Sequence, residues 1–88
     1  MIMKQVFKYP LEHINQKYKF LMPEGAEILT LQLQRGQPCM WALVETDNPS
    51  EARVFELVGT GDTLKHDGRY IGTFQLDNGE FVGHLFEI

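Results

Sequence analysis

The sequence predicts an all-β domain: a small antiparallel sandwich or partly open barrel of six or seven strands. Three observations carry this expectation. Apolar and polar residues alternate in short runs, Pro and Gly cut those runs, and Asn78-Gly79 joins two alternating runs as a tight hairpin does. No strand–helix–strand pattern is visible, which argues against a doubly wound sheet. Residues 1–88 read as a single domain without repeat or linker.

The first strand runs from Met3 to Tyr9 and stops at Pro10. Lys17–Met22 is the second, ended by the Pro23-Glu24-Gly25 turn, in which Pro presets φ. Leu11–Gln16 between them fits either a loop or one helical turn. Glu27–Gln34 alternates cleanly, with Leu29, Leu31 and Leu33 on one side and Thr30, Gln32 and Gln34 on the other. Arg35-Gly-Gln-Pro38 reads as a turn into the strand Cys39–Val44. A four-residue loop there places Leu33 opposite Met40, Leu31 opposite Ala42 and Leu29 opposite Val44. Asp47–Ser50 is a loop, Arg53–Val58 a strand, and Gly59–Gly68 a longer polar loop.

The chain then closes with the Arg69–Glu87 hairpin. A two-residue turn at Asn78-Gly79 sets Leu76 against Phe81, Phe74 against Gly83 and Gly72 against Leu85, so each strand glycine faces a large apolar residue. The other face then pairs Gln75 with Val82, Thr73 with His84 and Ile71 with Phe86. That face is only partly polar, so a second sheet or another subunit is expected to cover it.

Composition narrows the function classes. The chain is 43% hydrophobic with ten aromatics, enough for one core and a spare apolar surface. A formal charge of −4 argues against non-specific nucleic-acid binding, although Arg35, Arg53, Lys65 and Arg69 could still build a local basic pocket. Cys39 is the sole cysteine, so no internal disulfide forms. Met1–Gln5 lacks the apolar stretch of a signal peptide, and no run approaches the roughly 20 residues of a membrane span. A cytoplasmic protein with a reduced thiol is expected, and no membrane partner.

The chemical motifs are weak. Val58-Gly-Thr-Gly61 resembles a phosphate-cradling loop, but no helix follows to complete such a site. A glycine turn ending a strand is the plainer reading; a backbone nest for an anion or polar ligand is the other. Trp41 is either buried or part of a flat stacking surface with neighbouring Gln and Arg, suited to a nucleobase or a protein hot spot. His13, His66 and His84 lack metal-ligand spacing, so no metal or cofactor is expected. His84 opposite Thr73 reads as a satisfied pair, and His66 beside Asp67 as a loop contact. Cys39 and the acids Asp77 and Glu80 fall into no catalytic grouping, so an enzyme is not expected.

The chain carries Lys8-Tyr-Pro-Leu11, Met22-Pro-Glu-Gly-Ala26, Ile28-Leu29, Gly36-Gln-Pro38 and Trp41-Ala-Leu-Val44 in order. Arg53, Phe55, Val58-Gly-Thr-Gly61, Tyr70-Ile-Gly-Thr-Phe-Gln75 and His84-Leu-Phe-Glu87 follow. This pattern resembles a small family of uncharacterised proteins encoded by phages, prophages and bacteria. The resemblance spans nearly the whole chain and implies provenance rather than an activity. Members tend to carry a histidine straight after the Gly-Thr-Gly turn, where this chain has Asp62.

The resulting expectation is a non-enzymatic, self-associating binding module. It would be a phage-type accessory protein that binds a host protein or sequesters a small polar, nucleotide-like ligand. Candidate contacts are Trp41, Arg53, Gly59, Thr60, Gly61, His66, Arg69 and His84. The alternatives are a structural component of a phage or other assembly, and a small enzyme with a cryptic site.

Overall fold

Alternation produces seven strands in the computed structural model, which describes residues 3–88. They are β1 (Lys4–Pro10), β2 (Lys17–Pro23), β3 (Glu27–Gln34), β4 (Gln37–Glu45), β5 (Ser50–Gly59), β6 (Arg69–Leu76) and β7 (Phe81–Glu87). The leader reading extends over Met1 and Ile2, which lie outside the described residues. Leu11–Gln16 is loop, and strand β5 begins at Ser50, inside the stretch expected to be loop.

Two antiparallel sheets result, ordered β1-β4-β3 and β2-β5-β7-β6. The barrel is not closed. Between the sheets lies one core built from alternate residues: Met40, Ala42 and Val44 of β4 meet Phe55 and Leu57 of β5, Phe74 of β6 and Leu85 of β7. Tyr18 and Met22 of β2 extend it. Leu11 is fully buried and plugs one end, its N–H donating to the Pro38 carbonyl at 2.9 Å. Burying each large side chain of this set stabilises by about 1.5–3 kcal/mol before chain entropy is subtracted.

The β3–β4 register differs from expectation. The connection is a two-residue turn, Arg35-Gly36, both in left-handed backbone (φ 51° and 78°). Leu33 therefore faces Pro38 and Leu31 faces Met40, two residues from the pairing a four-residue loop gives. Pro38 lies inside β4 rather than in the turn. A bulge between Ile28 and Thr30 then inserts Leu29 as an extra residue, which reverses the phase. Ile28 packs against the core while Leu29 is left 47% exposed.

The β6–β7 register agrees with expectation from Leu76/Phe81 through Gly72/Leu85. Its turn is wider than two residues: Asp77, Asn78 and Gly79 are all left-handed, and Glu80 N–H donates to the Asp77 carbonyl at 3.1 Å. Beyond Gly72 a second bulge moves the pairing, so Phe86 faces Tyr70 instead of Ile71. Ile71 joins the core side, and the expected outer pair of Ile71 with Phe86 does not form. Gly83 is covered by its cross-strand partner as expected: a Cβ there would stand 2.9 Å from Phe74 Cζ and 3.0 Å from Leu57 Cδ1.

The sheets approach each other where β3 passes β6. A Cβ on Gly72 would lie 3.0 Å from Leu31 Cβ, so the absence of a side chain sets this spacing. The opposite flank is formed by β1 and β2, the other two edge strands. It carries Lys4, Lys8, Lys17 and Lys19 and ends its strands in Pro10 and Pro23, devices that discourage further pairing. Strands β3 and β6 contain neither Lys nor Pro.

Candidate functional site: the outer face of the four-stranded sheet

On β5, Phe55 and Leu57 point inward, so Glu56 points outward, yet it is only 2% exposed. The Gly59–Gly68 loop accounts for this. It crosses from β5 to β6 past the intervening β7 and brings His66 Nδ1 to 3.3 Å from Glu56 Oε2. A carboxylate lodged between a sheet and a loop needs such a partner, because desolvating it unpaired is costly. Gly68, at the end of the loop, sits tightly against Phe86: a Cβ there would be 3.1 Å from Phe86 Cβ and 3.0 Å from the Glu87 carbonyl oxygen.

Beside this pair, His84 of β7 is held at both ring nitrogens. Thr60 Oγ1 lies 2.8 Å from Nε2, and Thr73 Oγ1 lies 2.9 Å from Nδ1. Thr73 Oγ1 is in turn 2.6 Å from the Tyr70 hydroxyl. Hydroxyls both donate and accept, so this chain serves either neutral imidazole tautomer, and the imidazolium as well. The Tyr70 ring meets Phe86 edge-on, centroids 5.5 Å apart. Tyr70 is thus fixed at its ring and its hydroxyl while 57% exposed.

The expected contact residues divide among three places. Thr60, His66 and His84 gather on this face, with Gly59 and Gly61 shaping the turn: Asp62 N–H donates to the Gly59 carbonyl at 3.0 Å, and Gly61 has φ 90°. The Asp62 carboxylate packs against Gly59, 2.9 Å from where a Cβ would stand, so a like-charged ligand finds this turn already occupied. Trp41 lies on the outer side of the other sheet, half-buried between Lys8 and Thr30. It is neither fully buried nor near the glycine turn.

Arg53 has a structural task. It shares the inward side of β5, where Nε and Nη2 donate to Glu87 at 2.7 and 2.9 Å and Nη1 donates to the Ala26 carbonyl. The hydrogen bond from Arg53 holds the Glu87 carboxyl below the usual carboxylate range and lifts Arg53 above its own. Burial raises the Tyr9 phenol, against the opposing effect of nearby Arg53. Arg69 is exposed and reaches Glu87 only at 3.5 Å.

Tyr70, Thr73 and Glu56 were not among the expected contacts. Thr73 and Tyr70 stand in one of the segments that carry the family resemblance, and that segment meets two others here, through Thr60 and His84. Glu56 gives no signal in the chain, because alternation alone assigns it to solvent.

Fold and site together define a small β-sandwich with an ordered polar and aromatic face. Among the described residues no group of His, Cys, Asp and Glu could hold a metal ion. Among the described residues no helix is long and apolar enough to cross a membrane. The chain belongs to the family described as Domain of unknown function (DUF7352), which matches residues 3–88. No curated protein and no solved structure matches it.

Proposed function

We propose that this protein is a non-enzymatic binding module that engages a partner protein through the outer face of the four-stranded sheet, centred on Tyr70. The observation that supports this reading is a tyrosine more than half exposed whose ring and hydroxyl are both already held. Such a side chain loses little entropy on binding, and tyrosine is among the residues that dominate interface energies. Arg69 stands next to it in the chain, and His84 with Thr60 adds donors and acceptors. The partner we infer is a host protein, the chain being an accessory protein of phage type, which the motif resemblance supports. Self-association is part of this proposal, favoured by the exposed Leu21 and Val6 on the outer faces.

A catalytic reading has less support. Cys39 is on the outer side of the three-stranded sheet, while His66 and His84 are on the outer side of the other. Glu56 bonds His66 and leaves His84 without an orienting carboxylate.

The test compares wild type, Tyr70→Ala and Leu21→Ala as immobilised baits in host lysate, followed by calorimetry with the captured protein. Tyr70→Ala is expected to weaken binding by about 30-fold or more, the size of a hot-spot loss of about 2 kcal/mol. Equal affinity of wild type and Tyr70→Ala, with the fold intact, would overturn the proposal.

A further inference from the structure

A depression of about 560 Å³ lies away from the Tyr70 face. It opens at the end of the three-stranded sheet, where β1 finishes and β3 turns into β4. Lys8, His13, Gln34, Arg35 and Gln37 line it together with one carboxylate, Glu12. In a chain of net charge −4 this is a local reversal of sign. Among the described residues, neither Lys8 nor Arg35 has a carboxylate within ion-pair distance.

The lining is held in place. Lys8 Nζ donates to Gln34 Oε1 at 2.8 Å, spanning β4. Gln37 Nε2 donates to the Leu11 carbonyl at 2.8 Å. His13 has φ 58°, a left-handed conformation that side chains disfavour. The loop maintains it through Tyr18, whose hydroxyl donates to the His13 carbonyl at 2.7 Å and accepts from Asn15 N–H at 2.9 Å.

Arg35 carries a similar cost. It occupies the first position of a two-residue hairpin turn, where Asn, Asp or Gly fits the positive φ far better. Two of the chain's left-handed non-glycine residues therefore border one depression, and both present cationic or titratable side chains to it. Strain of this kind clusters at functional sites. Just outside the lining, Trp41 is the cross-strand neighbour of Lys8, partly buried on the same face.

We propose that this depression binds a phosphate-bearing small molecule of mononucleotide shape. The phosphate sits against Lys8, Arg35 and His13, and the planar group lies on Trp41. The volume is in the range of small-ligand sites, and Lys and Arg are the usual partners of phosphate. This site is independent of the Tyr70 surface.

Trp41 is the only tryptophan, so its fluorescence reports on a planar group stacked against it. The purified chain is titrated at low salt with AMP, GMP, CMP and UMP, with inorganic phosphate, and with adenosine. At least one nucleotide is expected to quench Trp41 saturably, with affinity falling as salt rises. Inorganic phosphate is expected to compete without quenching, which separates a nucleotide from free phosphate as the occupant. Adenosine is expected to bind at least ten-fold more weakly than AMP. Arg35→Asn suits the turn and keeps the fold, yet is expected to weaken nucleotide binding about ten-fold, the loss of one charge-assisted contact. Tyr70→Ala is expected to leave it unchanged. Absence of saturable quenching by all four nucleotides at millimolar concentration, or wild-type affinity in Arg35→Asn, overturns the proposal.

Discussion

Replacing Gly72 by Ala tests the close approach of β6 to β3. The new methyl would stand 3.0 Å from Leu31 Cβ, 3.4 Å from Cδ2 and 3.7 Å from Cγ. Rotation of the leucine relieves the last two contacts and cannot relieve the first, because Cβ is fixed to the backbone. β3 and β6 must therefore separate by several tenths of an ångström. Overpacking of this kind costs about 1–3 kcal/mol. Stiffening the unfolded chain returns about 0.4–1 kcal/mol. The expected net loss is about 1–2 kcal/mol, or about 5–15 °C in Tm for a domain of this size. Thermal and urea unfolding of Gly72→Ala measure it. A Tm equal to or above wild type would refute the claim that the missing side chain sets the sheet spacing.

Three other outcomes follow from the geometry. Glu87 has its folded pKa held below its unfolded value of about 4.3, so its stabilisation is complete above that pH and is lost as pH falls through the folded pKa. Glu87→Gln should flatten the rise of Tm with pH in that acidic window, and an unchanged slope would assign the effect to other carboxylates. Glu56→Ala should cost about 1–3 kcal/mol and speed amide exchange across Thr60–Gly68, since it removes the partner that seats His66; unaltered exchange would mean that the loop holds itself. Arg35→Asn should raise Tm by a few degrees, the relief of about 0.5–1 kcal/mol at a left-handed turn position; a lower Tm would show that Arg35 stabilises the turn rather than straining it.

Alternation made most of the fold legible. The terminal hairpin is the clearest case: its register from Leu76 to Gly72 follows from the position of Asn78-Gly79 and the period of two. The two bulges were not legible. One extra residue inverts every side chain beyond it, and nothing in Ile28-Leu-Thr30 or Tyr70-Ile-Gly72 announces the insertion. Pro38 misled in a different way, since a proline beside Gly36 reads as turn, yet its missing N–H is tolerated at the first residues of β4 while its carbonyl serves Leu11. The site was legible only in pieces. Thr60, His66 and His84 stood out as residue types. Their neighbours Tyr70, Thr73 and Glu56 gain meaning only from the loop that folds over β5 and from cross-strand contacts, which are long-range in sequence.

The uneven placement of lysine has a consequence for assembly. An incoming strand meets lysine and proline on the β1–β2 flank and neither on the β3–β6 flank, whose charges, Glu27 and Arg69, stand at the first positions of their strands. Two molecules joined through their lysine-free flanks would each present a lysine-guarded margin to the outside. Growth by strand addition would then halt at a pair, so this asymmetry would work against propagation into a fibre.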